Sequence, residues 1–239
     1  MKLSHRIWGL CFFISLLAGI KLENYWIDVA PVVKNVHTSH KVVALTFDDG
    51  PLNDTTPEIL RILKEKKVKA TFFVVGERVK RFPMLVRQEI WEGHEVGAHT
   101  YSHPNLTKLS KNQLEEEIDK TEKIISTVAP KPNLFRPPGG SYNDAIMKLT
   151  RDKGYRTILW SIDTQDWRSP SVGDIVNSVL KDVKPGSIIL LHDGKYPSPT
   201  PEAVEFIIDN LRSLGYEFVT TSELLQDYEP KHSYNKVSP

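Results

Sequence analysis

Residues 42–51 have the sequence VVALTFDDGP, in which an apolar, β-branched run ends at two adjacent aspartates and a Gly-Pro turn. The run from Val42 to Phe47 predicts a buried β-strand, and the turn predicts that the strand ends there. Helical spacing of apolar residues follows, with Thr56 as the predicted N-cap and Pro57 as the first helical residue. This stretch therefore predicts one strand followed by one helix.

The same alternation returns along the rest of the chain. Further strands are predicted at 70–75, 95–98, 134–136, 157–162, 187–191 and 217–220, and further helices at 83–91, 110–128, 143–153, 172–182 and 201–214. Near-continuous apolar strands that alternate with helices are typical of a parallel sheet covered by helices. We predict an α/β fold, a distorted or closed (β/α) barrel in a single domain, with an open doubly wound sheet as the alternative.

Composition excludes several classes of protein. The 239 residues are 40% hydrophobic and 26% charged, which is typical of a compact chain and not of a disordered or polytopic membrane protein. The formal net charge is +1, so the chain has no global electrostatic signature of nucleic-acid binding, and we expect no such partner. The single cysteine excludes an intrachain disulfide.

The N-terminus has the pattern of an export signal. A basic segment at residues 2–6 precedes the uncharged, mostly apolar residues 7–20, a run shorter than the ~20 residues that usually span a bilayer. We predict a signal peptide or N-terminal membrane anchor at 1–22, a linker at 23–40, a folded domain at 41–226 and a flexible tail at 227–239. The expected location is secreted or extracytoplasmic and membrane-anchored, with a possible membrane tether through the N-terminal segment.

Side chains with chemical character follow the predicted strands. In a (β/α) barrel all such positions converge on the rim at the carboxyl ends of the strands, where active sites are built. The residues concerned are Asp48, Asp49, His99, His103, Arg136, Asp163, Asp166 and His192.

A metal site is predicted from three of these residues. His99 and His103 are four residues apart in HTYSH, a spacing that places both imidazoles on one face of a helical turn. Asp49 is a candidate third ligand, and two histidines with one carboxylate form a catalytic zinc site with an open position. The same ligand set occurs in non-haem Fe(II) oxygenases, so the ligands alone do not identify the metal. Strand alternation should send the side chains of Asp48 and Asp49 apart, which predicts separate roles for them.

Three later segments add further candidates. RPPGG at 136–140 predicts a rigid loop whose Arg136 can hold a carboxylate. DTQDW at 163–167 supplies carboxylates beside Trp167, a ring suited to stacking on a sugar or to closing the barrel. His192 ends the strand LLH, and we expect it to enter the rim from the side opposite Asp48.

Taken in order, TFDDGP, HTYSH, RPPGG, DTQDW and LLH resemble the five motifs of the polysaccharide deacetylase family, carbohydrate esterase family four. The resemblance covers about residues 41–225. It implies a distorted (β/α) barrel and the metal-dependent removal of N-acetyl groups, or of O-acetyl groups in some members, from polysaccharides.

The resemblance also implies a role for individual residues. Asp48 would be the catalytic base and His192 the catalytic acid, with Arg136 steadying Asp48 and Asp166 tuning His192. Asp49, His99 and His103 would bind one divalent metal ion, Zn²⁺ in our prediction. Trp167 would form a groove wall, Leu190 would line the pocket for the acetyl methyl, and the Gly139 N–H would stabilise the oxyanion. The family often has an aromatic residue in place of Gly139, but the backbone N–H is retained.

We therefore predict a zinc-dependent hydrolase that removes N-acetyl groups from N-acetylglucosamine-type units of cell-wall polysaccharide, peptidoglycan or chitin-like, and releases acetate. Two alternatives stay open: an O-acetyl esterase acting on xylan, and a catalytically silent carbohydrate-binding barrel. The expected partner is the polysaccharide substrate. The sequence does not indicate whether the protein is a monomer or an oligomer.

Overall fold

The structure, a computed structural model, describes residues 32–228. Its strands are β1 (Val42–Asp48), β2 (Thr71–Val74), β3 (Glu95–Ala98), β4 (Leu134–Phe135), β5 (Arg156–Thr157), β6 (Ile162–Asp163), β7 (Ile188–His192) and β8 (Glu217–Phe218). They form one eight-stranded sheet in the order β5-β4-β3-β2-β1-β7-β6, with β8 paired to β1. Every strand pair is parallel, as expected for a (β/α) barrel.

Helices connect the strands and cover the outside of the sheet. They are α1 (Thr55–Glu65), α2 (Gly76–Arg81), α3 (Pro83–Trp91), α4 (Lys111–Ile125), α5 (Asp144–Asp152), α6 (Val172–Asp182), α7 (Thr200–Ser213) and α8 (Thr221–Glu223). Short 3₁₀ turns lie at Leu106–Lys108, Pro138–Gly140 and Asp166–Arg168, and a π-helical turn lies at Leu224–Tyr228.

Side-chain alternation divides each central strand between two cores. On β1, Val43 and Phe47 face outward and pack with the apolar faces of the helices. Ala44 faces inward and packs with Phe73 of β2 and Ile188 of β7 in a second, smaller cluster inside the barrel. Because successive side chains of a strand point to opposite faces, an apolar run such as β1 supplies both layers at once.

The segment before β1 is packed against the barrel. Val33 and Val36 are both buried and belong to the inner cluster. The N–H of Val33 donates to the Thr157 carbonyl at 3.0 Å, and the N–H of Val36 donates to the Gly186 carbonyl at 2.9 Å. The part of the predicted linker that the structure describes is therefore anchored between β5 and the start of β7.

The single strand predicted at 157–162 is wrong. This stretch is divided between β5 and β6, which lie at opposite ends of the sheet order. The buried Arg136 side chain donates to the carbonyls of Ile158 at 3.3 Å and Leu159 at 3.0 Å. The backbone carbonyls between the two short strands thus accept hydrogen bonds from the buried Arg136 guanidinium. The periodicity of the sequence does not predict this break in the strand.

The predicted cap of α1 is also wrong. The helix begins at Thr55, and Asp54 occupies the N-cap position. The Thr56 hydroxyl instead accepts from the N–H of Leu52 at 2.8 Å and donates to Asp193 Oδ2 at 2.6 Å. A tertiary partner 137 residues away therefore takes the hydroxyl that local rules assign to capping.

Other boundaries are confirmed. The predicted ranges of β3, α3 and α6 match the structure at both ends, and Ser110 and Gln113 form the predicted capping box of α4. The predicted signal peptide or anchor, and all of the predicted tail after residue 228, lie outside the described residues. Between residues 32 and 228, no helix is long and apolar enough to cross a membrane.

Candidate active site

The site lies where the central strands end. In the parallel ladder between β1 and β7, the last rung pairs Asp48 with His192. The prediction that His192 enters from the side opposite Asp48 is wrong, because β7 returns to lie directly beside β1. Strand order depends on the tertiary fold, and chain order alone does not give it.

Asp48 is buried and bound to a buried arginine. Arg136 Nη1 donates to Asp48 Oδ1 at 2.7 Å and to the Thr46 hydroxyl at 2.9 Å. The guanidinium carbon lies 4.0 Å from the centre of the Phe73 ring. Burial lowers the pKa of Arg136, and the Asp48 carboxylate opposes that shift. Arg136 thus holds Asp48 in one orientation and compensates its charge, as the resemblance implies.

Asp49 lies just beyond β1 in a left-handed conformation, with a φ of 73°. Its Oδ1 lies 3.4 Å from His99 Nε2 and 3.1 Å from His103 Nε2, while Asp48 Oδ2 lies 3.8 Å from the same His99 nitrogen. The expectation from strand alternation is therefore wrong. Because the chain leaves the extended conformation at Asp49, both carboxylates approach His99 from the same rim.

His99 and His103 converge without the predicted helical turn. They lie in a loop in which Thr100 and His103 have φ values of 65° and 57°. Glu117 of α4 fixes this loop by accepting from the N–H groups of Tyr101 and Ser102, each at 2.9 Å. The two imidazole rings come to 5.0 Å between centroids.

These three side chains fit a metal ion. One potential ligand atom from each of Asp49, His99 and His103 lies within 4.8 Å of the others. His99 Nδ1 donates to the Arg136 carbonyl at 2.7 Å, which leaves the Nε2 lone pair free as a ligand. Asp49 Oδ1 is buried and makes no hydrogen bond with good geometry, as expected of an oxygen placed to bind a cation.

Charge in this cluster agrees with that arrangement. Burial raises the pKa of Asp49, but the adjacent imidazoles of His103 and His99 outweigh burial and hold that pKa well below its usual range. The Asp49 carboxylate in turn raises the pKa of His103. A cation at this position would replace the histidine protons as the partner of the Asp49 charge.

His192 is held by a buried aspartate. Asp166 Oδ1 lies 2.7 Å from His192 Nδ1, and Asp166 Oδ2 accepts from the His192 backbone N–H at 2.8 Å. The Thr200 hydroxyl also donates to Asp166 Oδ2, at 2.6 Å. Burial lowers the pKa of His192, but Asp166 outweighs it and raises the pKa to about 9. The imidazole is therefore a proton donor at neutral pH.

The remaining predicted site residues surround this centre. Leu190 is buried on β7, two residues before His192 and on the same face of the strand. Trp167 is 46% exposed, with the Arg168 guanidinium carbon 4.7 Å from its ring. Gly139 has a φ of 58°, and a Cβ there would meet no atom within 4 Å. The aromatic residue often found there in the family would therefore point into open space.

Comparison with known proteins places the chain in a family. A family model described as polysaccharide deacetylase matches residues 35–158. The chain belongs to the polysaccharide deacetylase family. A peptidoglycan-N-acetylglucosamine deacetylase of Bacillus cereus is 46% identical over 198 residues, which are 82% of this chain and 93% of that protein. The predicted family and enzyme class are thereby confirmed, and the chain is a polysaccharide deacetylase.

Two solved structures are similar to this deacetylase. A peptidoglycan N-acetylglucosamine deacetylase in complex with 4-naphthalen-1-yl-N-oxidanyl-benzamide superposes with a TM-score of 0.81 at 38% identity, covering 85% of this chain and 97% of that one. A CE4 family pseudoenzyme from Bacillus anthracis superposes with a TM-score of 0.78 at 34% identity, covering 83% of this chain and 70% of that one. The predicted distorted (β/α) barrel is confirmed.

Sequence reasoning missed several residues that support the deacetylase site. Thr46 and Thr200 bind Arg136 and Asp166 through their hydroxyl groups. Asp193 is fully buried behind the Asp48-Asp49 turn, where its carboxyl oxygen would lie 2.1 Å from a Cβ on Gly50. Asp193 could have been found from the sequence, because it directly follows His192 at the end of β7. Nothing in the sequence distinguishes Thr46 and Thr200 from the other threonines.

Proposed function

We propose that this deacetylase is metal-dependent and removes N-acetyl groups from N-acetylglucosamine-type units of cell-wall polysaccharide, releasing acetate. The observation that carries the proposal is that one rim brings together a metal-binding cluster, a carboxylate held by Arg136 and a protonated His192 held by Asp166. The names of the relatives support N-acetylglucosamine in peptidoglycan as the target.

Asp49, His99 and His103 would hold the metal. Two histidines with one carboxylate and an open position are a ligand set of catalytic zinc, and we propose Zn²⁺. A divalent cation so held lowers the pKa of a bound water and polarises the amide carbonyl. The hydrogen bond from His99 Nδ1 to the Arg136 carbonyl fixes the ring orientation that this role needs.

Asp48 would act as the general base. Arg136 occupies its Oδ1, while its Oδ2 faces His99 Nε2 at 3.8 Å. The free oxygen therefore lies next to the metal cluster, where it can accept the proton of the attacking water. Because Arg136 is buried and fixed by three acceptors besides Asp48, this oxygen is oriented before the substrate arrives.

His192 would act as the general acid. Asp166 binds Nδ1, so Nε2 is the nitrogen left to donate a proton to the departing amine. Amide hydrolysis requires this step, because an amide anion is a very poor leaving group. A pKa of about 9 keeps that proton available at neutral pH.

Three residues would position the acetyl group and the sugar. The Gly139 N–H would stabilise the tetrahedral oxyanion, an interaction often worth about 3 kcal/mol per donor. Leu190 would contact the acetyl methyl, and Trp167 would form a wall of the sugar groove.

The alternatives use the same barrel differently. An O-acetyl esterase would demand less of His192, since an alkoxide leaves more readily than an amide anion. A silent barrel deserves a test because one structural neighbour is a pseudoenzyme. The full set of polar residues that hydrolysis needs is present in this chain, which favours activity.

We also propose that the protein is secreted or held outside the cytoplasm by its N-terminal segment, on the basis of the basic and apolar residues at 2–20. Fractionation of cells that make the full chain tests this. The protein should occur in the medium or with the outer face of the membrane, and recovery in the cytoplasm alone would contradict the proposal.

The function is tested by measuring acetate and free amine released from peptidoglycan, chitooligosaccharides and acetylxylan. We expect both products from N-acetylated glycans, loss of activity on treatment with a chelator, and recovery with Zn²⁺. Full activity in a verified metal-free preparation would exclude the mechanism. A requirement for Fe(II) and oxygen would favour the oxygenase chemistry, and acetate from acetylxylan alone would favour the esterase.

A further inference from the structure

Two loops beside His192 are joined by a lysine. Lys195, three residues after His192, donates from Nζ to the Trp167 carbonyl at 2.8 Å and to the Ser169 hydroxyl at 2.9 Å. Trp167 belongs to the same short 3₁₀ turn as Asp166, the residue that binds His192. Lys195 therefore fixes its ammonium group to the turn that flanks the proposed acid.

A second cation lies on the same turn. The guanidinium of Arg168 stacks 4.7 Å from the Trp167 ring, and both Arg168 and Lys195 are exposed. Among the described side chains, no carboxylate lies within 4.0 Å of either cation. Lys66 on the helical surface contrasts with them, since it pairs with Asp209 at 2.7 Å.

The acidic groups nearest in sequence have other partners. Asp163 Oδ1 accepts from the N–H of Gln165 at 2.9 Å, Asp166 is bound to His192, and Asp193 Oδ2 accepts from the Thr56 hydroxyl at 2.6 Å. Within the described residues, the charges of Arg168 and Lys195 therefore have no carboxylate partner. Arg168 stacks on the Trp167 ring, proposed as a groove wall, and Lys195 is bonded to the backbone carbonyl of the same residue.

The turn that carries Arg168 and accepts the hydrogen bonds of Lys195 is flanked by two residues in an unfavourable backbone conformation. Gln165 and Ser169, on either side of it, are left-handed, with φ values of 53° and 54°. That conformation is unfavourable for a residue other than glycine. The bonds from Lys195 to the Trp167 carbonyl and the Ser169 hydroxyl hold the turn in place. The Lys195 ammonium is thus held on the turn that carries Arg168 before a ligand arrives.

We propose that Arg168 and Lys195 bind a carboxylate on the sugar next to the one that is deacetylated. The inference rests on the proposed function and makes its substrate class more specific: an N-acetylated glycan that carries carboxylates, in preference to a neutral one. A guanidinium matches a carboxylate through two parallel N–H groups, and an ammonium supplies a point charge. A guanidinium stacked on the aromatic wall and an ammonium bonded to the same turn can therefore recognise an acidic sugar that binds at that wall.

The test uses two glycans with the same sugar backbone, one with charged carboxylates and one with neutral amides in their place. One is an oligosaccharide of N-acetylglucosamine alternating with N-acetylmuramic acid, with free lactyl carboxylates and no peptides. The other is the same oligosaccharide with each carboxylate converted to its methylamide. Acetate release should show a kcat/KM about fivefold to tenfold higher for the charged glycan. Raising the salt concentration from about 0.05 M to about 0.5 M should reduce this ratio.

Variants assign the preference to the two cations. Arg168→Gln and Lys195→Gln should each lower the ratio, and the double variant should bring it close to one. Lys195→Arg retains the charge and should retain most of the preference. Lys181→Gln, on the exposed face of α6, is the matched control and should leave the ratio unchanged.

Four outcomes would overturn the inference. Equal kcat/KM values for the two glycans would show that no carboxylate is recognised. Equal losses on both glycans in the Gln variants would show that these residues only hold the Trp167 turn. Acetate release from neither glycan would overturn the proposed function, and the carboxylate site with it. Normal activity on the methylamide glycan, with none on the charged glycan, would exclude the carboxylate site and would still agree with the proposed function.

Discussion

The first and last rungs of one ladder make a direct comparison. Ala44 pairs with Ile188 at the first rung between β1 and β7, and Asp48 pairs with His192 at the last. All four side chains lie on the inner face of the sheet. The first pair is part of an apolar cluster, whereas the last consists of a carboxylate and an imidazole, each held by a charged partner. The same backbone pairing therefore supports two different regions. At one end is the inner apolar cluster of Ala44, Phe73 and Ile188, called the floor below, and at the other end are the polar residues of the candidate site.

The polar end is stable because its charges are compensated from within the barrel. Arg136 binds Asp48 and lies against the ring of Phe73, which belongs to the apolar floor. Thr46, two residues before Asp48 and on the same inner face, accepts a hydrogen bond from Arg136. The apolar cluster thus positions Arg136, and Arg136 positions Asp48.

Removing the arginine should have the largest effect on stability. Arg136→Met keeps much of the volume but leaves Asp48 buried without its cation, so the free energy of unfolding should fall by about 3–5 kcal/mol. Urea unfolding at pH 7 measures this. The double variant Arg136→Met, Asp48→Leu should recover much of the loss. A double variant as unstable as the single one would show that the arginine acts through packing.

Removing His192, the proposed general acid, should have the next largest effect, and on rate alone. His192→Ala should lower kcat on N-acetyl substrates by about 10²-fold or more, since the amine must leave protonated. The loss should be much smaller on an acetyl ester with a good leaving group. Steady-state kinetics on both substrates check this, and equal losses would assign His192 a structural role.

Weakening the partner of that acid should shift its pH dependence. Because Asp166 raises the pKa of His192 to about 9, His192 stays protonated below that pH and loses its proton above it, so kcat should fall on the alkaline side. Asp166→Asn removes the charge that raises the pKa and should move this fall to lower pH. A pH profile of kcat measures this shift. If the alkaline fall in kcat stays at the same pH in Asp166→Asn, deprotonation of His192 is not its cause.

A substitution in the floor should change the stability of the protein and not its catalytic rate. Ile188→Val removes one methylene from the inner cluster and should lower the free energy of unfolding by about 1 kcal/mol. Its kcat should stay near the wild-type value, because the floor does not touch the reacting atoms. A fall in kcat comparable to that of His192→Ala would contradict the division of the barrel interior into floor and rim.

The fold was predictable from the sequence because apolar runs such as Val42 to Phe47 and amphipathic helices recur in a fixed order. The candidate site residues follow from motifs at strand ends, which a barrel gathers on one rim. The contact between Asp48 and His192 was not predictable, because it depends on β7 pairing with β1. The left-handed backbone at Asp49 was not predictable either, since local rules favour extended alternation there.

The central claim is that the two adjacent aspartates have different roles, with Asp49 binding the metal and Asp48 accepting the proton. Asp49→Asn removes a charged ligand and should lose metal, with some activity recovered at high metal concentration. Asp48→Asn keeps the shape of the side chain, so metal content should stay near stoichiometric while kcat falls by about 10²-fold or more.

The decisive measurement is metal content by elemental analysis, made beside acetate release, for these two variants and the wild type. The account predicts low metal in Asp49→Asn and a metal-loaded but nearly inactive Asp48→Asn. Loss of metal in Asp48→Asn, with metal and activity retained in Asp49→Asn, would invert the two roles. Full activity in both variants would show that the pair forms only a turn and that the proposed site is wrong.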